Sequence, residues 1–220
     1  MTALKPKPNV ETQSAELQPS SAPSPQSLKS IVEAALLAAG RPLRIEDLQQ
    51  LFDGDASSVD RAAIRRVIDA LREDCTDRGV ELKEVASGFR FQVKAHYAPW
   101  VNRLWAERPT RYSRALLETL ALIAYRQPIT RGEIEDIRGV SVSSSIVKTL
   151  LEREWIRVLG HREVPGRPAL YGTTRQFLDH FNLKNLDELP PLAQIRELDG
   201  TSAFEPPHEI APMVVSGEAE

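Results

Sequence analysis

The chain has 220 residues, of which 41% are hydrophobic and 6% aromatic, and its net charge of −3 argues against wholesale wrapping of nucleic acid. Its single cysteine, Cys75, excludes an intrachain disulfide and a cysteine-based zinc cluster. No run approaches the ~18 apolar residues of a membrane span, and the N-terminus lacks a charged region followed by an apolar stretch, so we expect a cytoplasmic protein without membrane contact.

The first 26 residues have the composition of a disordered tail. They are rich in Pro, Ser, Gln and Thr and contain few large apolar residues. The acidic residues 192–220, which include Pro206-Pro207, have the same character. Such segments bury too little surface to offset the entropy lost on ordering, so we predict disordered tails at 1–26 and 192–220.

Residues 27–96 have the pattern of three helices followed by a β-hairpin. A Ser-x-x-Glu capping box at Ser30–Glu33 is predicted to open the first helix. A short second helix is predicted from Ile45 to Phe52, and a third begins near Asp60 with apolar residues at i, i+3, i+4 and i+7. Alternating apolar residues on both sides of Ser87-Gly88 predict a two-stranded hairpin that turns at this pair. This order is that of a winged helix-turn-helix.

Residues 97–110 are predicted to be a linker with a short helix from Pro99 to Trp105, and residues 111–191 then repeat the order of the first copy. The third helix of this second copy is predicted from Ser143 to Glu154, followed by two strands on either side of Pro165-Gly166. Each helix of the second copy begins at a residue able to cap it: Ser113, Thr130 in a capping box with Glu133, Ser143 and Thr174.

Two stretches of these copies have similar sequences. Residues 35–42 read Ala-Leu-Leu-Ala-Ala-Gly-Arg-Pro and residues 121–128 read Ala-Leu-Ile-Ala-Tyr-Arg-Gln-Pro, at an offset of 86. This offset exceeds the period of about 20–50 residues that solenoid repeats have. We therefore predict a mainly α fold with small β-hairpins (α+β), formed by two tandem winged helix-turn-helix domains at 27–96 and 111–191.

The sequence contains no recognisable catalytic, cofactor or metal motif. Its four histidines are scattered, without an i, i+4 pair or partner cysteines, and it lacks glycine-rich phosphate-binding loops and a Gly-x-Ser-x-Gly elbow. We therefore predict that the protein is not an enzyme and takes no cofactor, metal or small-molecule substrate. An enzyme stays open as an alternative that would need a pocket with converging titratable groups.

Nucleic-acid binding is the main alternative, because winged helices often place their third helix in the major groove. Phosphate neutralisation dominates DNA affinity, and acidic neighbours oppose it. Both third helices mix their charges, so a DNA-binding transcription regulator is the less favoured hypothesis and any DNA contact is expected to be weak or indirect. The opposing residues are Arg61, Arg65, Arg66 and Arg72 against Asp69, Glu73 and Asp74 in the first copy, and Lys148 and Arg153 against Glu152 and Glu154 in the second.

The first helix of each copy is unusually apolar. Within residues 31–39 the only polar residue is Glu33. Within residues 115–125 the only strongly polar residues are Glu118 and Thr119. A helix that is apolar all round must be covered on more than one side. Contact with a second copy or with a partner chain is therefore favoured, while burial inside a single module stays open.

Three stretches of the second copy resemble the segregation and condensation protein B family, the small accessory subunit of bacterial condensin. They are Leu117–Arg131, Glu133–Val140 and Val164–Thr174. The resemblance extends over residues 28–191, including the ending Asp187–Pro190, although the first copy matches mainly by pattern. The acidic tail is not explained by it.

The resemblance implies a homodimer held mainly by the N-terminal domain. It also implies that the C-terminal domain binds the kleisin subunit, segregation and condensation protein A. That kleisin bridges the heads of the SMC ATPase. The protein would thus support chromosome condensation and segregation during cell division, associated with the nucleoid and without touching ATP.

These expectations give candidate contact residues. The candidates for the self-association face are Ile31, Leu36 and Leu37. Arg167, at the predicted wing, would donate to a partner carboxylate or carbonyl, and bonding within its own domain is equally open. The candidates for the kleisin groove are Tyr125, Arg126, Ile129, Ile134 and Arg167, with Leu117, Leu120 and Ile123 in the core beneath them.

Overall fold

The structure is a computed structural model, and it describes residues 24–53, 59–104 and 112–191. These residues form eight α-helices and two small antiparallel sheets, so the expected mixture of helices with small sheets is confirmed. Within these ranges no helix has the length and apolar character needed to cross a membrane. Residues 1–23 of the predicted N-terminal tail and all of the predicted tail at 192–220 lie outside the described residues, whereas residues 24–26 lie within them.

The first module comprises three helices and a hairpin in the predicted order. Its residues build one buried cluster to which every one of these elements contributes. The elements are α1 (Pro25–Ala38), α2 (Ile45–Gln50), α3 (Arg61–Asp74), β1 (Val80–Val85) and β2 (Gly88–Val93). The fully buried side chains at the centre of the cluster are Val32, Leu48, Ile64, Ile68 and Leu71.

The start of α1 differs from the sequence expectation. The helix begins at Pro25, and the Ser24 hydroxyl accepts a hydrogen bond from the Ser27 amide at 3.2 Å. Proline suits the first helical position because no intrahelical bond needs its missing N–H. The predicted capping box at Ser30 is wrong, because Ser30 lies inside the helix and its hydroxyl donates to the Gln26 carbonyl. The predicted boundary of the tail at residue 26 therefore lies inside α1.

The hairpin of the first module turns one residue earlier than predicted. Val85 pairs with Gly88, so the two turn residues are Ala86 and Ser87 rather than Ser87 and Gly88. Gly88 has a φ of +134°. Leu43 forms a bridge to the hairpin, since its amide donates to the Phe89 carbonyl at 2.9 Å and its carbonyl accepts from the Phe89 amide at 2.8 Å.

The segment after the hairpin is helical, as predicted for the linker, but it starts earlier. A 3₁₀ turn covers Ala95–Tyr97, α4 covers Ala98–Val101, and a second 3₁₀ turn covers Asn102–Leu104. The end of the predicted linker, residues 105–110, lies outside the described residues.

The second module follows the same order and adds one strand. Its sheet has the order β3-β5-β4, in which β3 was not predicted. The elements are α5 (Arg114–Arg126), β3 (Ile129–Thr130), α6 (Arg131–Arg138), α7 (Ser144–Glu152), β4 (Ile156–His161), β5 (Ala169–Thr173) and α8 (Arg175–His180).

The extra strand has a counterpart in the first module. Ile129 pairs with Tyr171 on the returning strand, and Leu43 pairs with Phe89 on the returning strand of the first hairpin. Leu43 and Ile129 are separated by the repeat offset of 86, and each follows a repeated proline. The equivalence therefore extends from the sequence to the backbone pairing.

The predicted caps of the second module are confirmed. The Ser113, Ser143 and Thr174 hydroxyls each accept a bond from a backbone amide of the helix that follows. At α6 the Thr130 amide donates to the Glu133 carboxylate at 2.9 Å, and the Glu133 amide donates back to the Thr130 hydroxyl at 3.3 Å. These bonds from Thr130, with the nearby Arg162 guanidinium, hold the pKa of Glu133 below its usual value.

The second module has its own buried cluster. Leu120 and Ile123 lie in it as predicted, and Leu117 packs against it while half-buried. Trp155 is buried there beside the rings of Tyr112 and Phe181. The two clusters share no residue, so each module is held together by its own apolar core.

Candidate protein-interaction surfaces

The outer side of α1 exposes apolar side chains. Ile31 and Leu37 are 40% and 55% exposed, and Ala34 and Ala38 lie between them on the same side. We call these four residues the α1 face. Leu36 was predicted to share this face, but it is 4% exposed and packs in the core of the first module. The prediction for Leu36 is wrong because its position on the helix turns it toward the core with Val32.

A second exposed surface adjoins the α1 face. An open depression of about 440 Å³ lies between α1 and α2, and the exposed Leu51 forms part of its wall. Ala35 and Ala38 of α1 line its other side. The first module thus presents apolar side chains along α1 and at the end of α2, and Arg41, Asp47 and Gln50 also line the depression between them.

The second module has an open depression of about 350 Å³ between the end of α5 and α6. We call it the α6 depression. Its apolar contribution comes from Pro128, Ile129 and Ile137, although Ile129 is largely buried. Its charged contribution comes from Arg126, Glu133 and Asp136. The predicted groove residues Arg126 and Ile129 are therefore brought together here.

The residue of α6 that was predicted from the sequence to line the kleisin groove is buried. Ile134 is 0% exposed and belongs to the core of the second module, so its assignment to the groove is wrong. Ile137 is 53% exposed and lines the depression, and Val140 just after the helix is also exposed. Sequence reasoning missed both. Their apolar character in an otherwise charged stretch was the available signal.

The Tyr125 side chain already makes a contact within its own chain. Its hydroxyl donates a hydrogen bond to the Pro190 carbonyl, and burial raises the pKa of Tyr125. Leu189, next to Pro190, packs against the second core. Arg126 is exposed beside it. The end of α5 therefore offers an exposed guanidinium next to a tyrosine whose hydroxyl already bonds to Pro190.

The predicted wing residue Arg167 lies in the exposed loop between β4 and β5. Its guanidinium pairs with the Glu163 carboxylate of the same loop at 2.9 Å. Both side chains are largely exposed, and such pairs contribute little to stability. Around this loop three large apolar side chains, which sequence reasoning did not single out, are also exposed: Val158, Leu159 and Val164.

Most of the basic side chains on the third helices lie beside carboxylates. On α3, Arg61 contacts Glu46, and both Arg65 and Arg72 lie within 4.0 Å of Glu84. On α7, Lys148 lies 3.6 Å from Glu152. Carboxylates beside the cations oppose phosphate binding, so the geometry does not favour a DNA-reading helix.

No group of three or more His, Cys, Asp or Glu side chains able to hold a metal occurs in the part of the chain that the structure describes. Cys75 is buried. The surfaces above consist of apolar side chains with charged edges, which is the composition of protein contact sites.

The sequence matches the family described as "Segregation and condensation complex subunit ScpB" over residues 30–192. It is 58% identical over 175 residues to a segregation and condensation protein B homolog of Coxiella burnetii, covering 80% of this chain and 83% of that protein. It is 45% identical over 171 residues to the segregation and condensation protein B of Syntrophotalea carbinolica, covering 78% of this chain and 85% of that protein.

Two solved structures are also similar. The crystal structure of ScpB from Mycobacterium tuberculosis is 30% identical and covers 74% of this chain and 99% of that chain, with a TM-score of 0.35. The crystal structure of a dimer of the ScpB N-terminal domain complexed with ScpA peptide is 30% identical and covers 36% of this chain and 96% of that chain, with a TM-score of 0.33.

Proposed function

The chain belongs to the segregation and condensation complex subunit ScpB family, and from this premise we propose that it is a non-enzymatic accessory subunit of a bacterial condensin. In this role it binds the kleisin subunit, segregation and condensation protein A, and through it the SMC ATPase. It supports chromosome condensation and segregation in the cytoplasm, at the nucleoid. The observation that carries the proposal is the exposed apolar surface on both modules, which a subunit of an assembly needs and an isolated protein does not.

The two modules are proposed to be tandem winged helix-turn-helix domains, at 27–96 and 111–191, joined by the linker at 97–110. Each has three helices followed by a β-hairpin. The pairing of Leu43 with Phe89 and of Ile129 with Tyr171, at the repeat offset, supports a common origin of the two modules.

The first module is proposed to hold two copies of the chain together through the α1 face. Ile31 and Leu37 are exposed there, and burying such side chains against a second copy removes apolar surface from water. The exposed Leu51 adjoins this face across the depression, whose lining also includes Arg41 and Asp47. A self-complementary face of this kind suits a two-fold dimer.

We expect the chain to be a dimer in solution and the double variant Ile31→Asp, Leu37→Asp to be a monomer. Two carboxylates per copy would have to be desolvated in the contact. The free energy of this desolvation exceeds the free energy that the contact gains. Light scattering coupled to size exclusion measures the mass. Val164→Asp, at an exposed apolar residue of the second module, is the control and should remain a dimer. A dimeric double variant with an unchanged circular dichroism spectrum would refute the α1 face.

The second module is proposed to hold the kleisin at the α6 depression. Arg126, Ile129 and Ile137 supply a charged rim and an apolar floor, and Tyr125 stands at the end of α5 beside them. Arg167 and the exposed apolar residues of β4 and of the loop that follows it extend the proposed contact. Ile134 supports the depression from inside the core rather than touching the partner.

For the double variant Tyr125→Ala, Arg126→Ala we expect the affinity for the kleisin to fall by about tenfold or more, since removing a tyrosine and an arginine from a contact often has this effect. The kleisin is immobilised and the binding of the full chain is measured by surface plasmon resonance. Lys148→Ala, an exposed cation on α7, is the control and should bind as the unsubstituted chain does. Unchanged binding by a folded double variant would show that the depression is not the site.

A further inference from the structure

The two modules meet at a small polar contact outside both cores. The turn residues Ala86 and Ser87 lie against the end of α8. The Ala86 amide donates to the Leu183 carbonyl at 2.9 Å, and the Ser87 amide donates to the Asp179 Oδ1 at 2.9 Å. A two-residue hairpin leaves the amides of its turn outside the strand ladder, so both donors need partners from elsewhere. The second module supplies them.

Arg90 of β2 extends the same contact. Its Nη2 donates to the Asp179 carbonyl and to the Asn182 Oδ1, both at 2.8 Å. The Arg90 Nε is buried without a hydrogen-bond partner among the described residues. Burial lowers the pKa of Arg90, and the nearby Asp179 carboxylate opposes this shift. At the edge, Lys184 Nζ lies 3.2 Å from the Glu84 carboxylate.

The acceptor side of the contact is built for one arrangement. Asp179 is a buried carboxylate, 7% exposed. Asn182 has a φ of 58°, a conformation that asparagine tolerates better than most residues, and it ends the turn after α8. A buried carboxylate without a partner is costly, and in this orientation the Asp179 carboxylate accepts from the Ser87 amide while the Arg90 Nη2 finds two acceptors.

The polar side chains of the contact belong to neither buried cluster, although the Leu183 side chain packs against the second one. No residue of the first buried cluster belongs to the second, and the bonds above join residues 84–90 with residues 179–184. Small polar contacts between domains form and break without unfolding either side. The contact can therefore govern the orientation of the modules independently of their folding.

We propose that the hairpin turn of the first module and the end of α8 form a latch, which holds the second module in one orientation and releases it when its hydrogen bonds break. Residues Ser87, Arg90, Asp179 and Asn182 form this latch. Its existence does not depend on the proposed function. The effect of the latch on partner binding does depend on that function, because in a dimer built on the α1 face the latch sets the direction in which each α6 depression points.

The latch is tested by the distance between the modules. Nitroxide labels at Glu73→Cys on α3 and Lys148→Cys on α7, both exposed, report this distance by double electron–electron resonance. Labelled chains are diluted with excess unlabelled chain, so that pairs within one copy dominate. A chain without the two introduced cysteines shows that the buried Cys75 takes no label.

With the latch intact we expect one narrow distance distribution. In the double variant Arg90→Ala, Asp179→Ala the modules reorient, and the distribution should widen by about twofold or more. Asp179→Asn keeps an oxygen that can accept the Ser87 amide, so its distribution should stay narrow. Arg175→Ala, on the exposed side of α8, should also change nothing.

A double variant whose distribution is as narrow as that of the unsubstituted chain would overturn the latch. If the double variant loses its helical circular dichroism, the single variant Asp179→Ala decides, since it removes one acceptor without touching a core. A narrow distribution in that folded variant would equally overturn the proposal. Kleisin binding is not used as the readout, so failure of the latch and failure of the proposed function remain distinguishable.

Discussion

Replacing Gly88 by alanine should destabilise the first module by about 3–5 kcal/mol, because strain and a backbone clash act together. Gly88 has a φ of +134°, which residues with a Cβ rarely adopt. A Cβ built there would lie 2.3 Å from the Leu43 carbonyl oxygen and 2.7 Å from the Arg44 amide nitrogen. Both neighbours are backbone atoms, so the hairpin would have to separate from the segment that follows α1. Thermal or urea unfolding followed by circular dichroism measures the loss.

Gly132 provides the matched control for this substitution. It lies in α6, and a Cβ there would meet nothing within 4 Å. Alanine in a helix at such a position should stabilise the protein by about 0.5–1 kcal/mol, because it loses less backbone entropy on folding. If Gly88→Ala unfolded at the same urea concentration as the unsubstituted chain, the close approach of the hairpin to Leu43 would be wrong.

The second large effect is expected at Ile134. Its side chain is fully buried, and Ile134→Ala leaves a cavity in the second core, which should cost about 2–5 kcal/mol of unfolding free energy. Because this destabilises the second module, kleisin binding should weaken only as the folded fraction falls. Urea unfolding followed by the fluorescence of the buried Trp155 measures the loss in that module.

Ile137 is the matched residue one turn further along the same helix. Its side chain is exposed at the α6 depression, so Ile137→Asp should leave the unfolding midpoint nearly unchanged and lower the affinity for the kleisin by about tenfold or more. The two variants therefore separate a core role from a contact role within α6. Equal stability losses for Ile134→Ala and Ile137→Asp would contradict the assignment of Ile134 to the core and of Ile137 to the surface.

The caps of the second module could be predicted because they depend on local chemistry. Ser113, Thr130 and Thr174 bond to amides three residues away, so a short stretch of sequence contains both partners. The start of α1 was predicted wrongly for a related reason. Ser24 and Pro25 form an adequate cap, but the surrounding Pro- and Ser-rich composition favoured a tail.

Features that depend on contacts between distant residues could not be predicted in the same way. The apolar pattern of α6 is compatible with either Ile134 or Ile137 in the core, and packing against α5 and the sheet decides between them. Leu36 was assigned to the surface for the same reason. The acceptors Asp179 and Asn182 lie about ninety residues from their donors, and nothing near them in sequence indicates a partner in the other module.

The α6 depression itself was only partly predictable. The string around Tyr125, Arg126 and Ile129 indicated its position, because it carries the resemblance to the family. The exposure of Ile137 and the bond from Tyr125 to Pro190 required the structure. Family resemblance thus indicated the region, and packing distinguishes the residues that support the surface from those that form it.

The most direct test of the central claim is a calorimetric titration of segregation and condensation protein A into the full chain. We predict saturable binding with a dissociation constant of about 1 μM or tighter, and a negative heat-capacity change because exposed apolar side chains become buried. The absence of binding heat at several temperatures, together with separate elution of the two proteins at the same concentrations, would contradict the account.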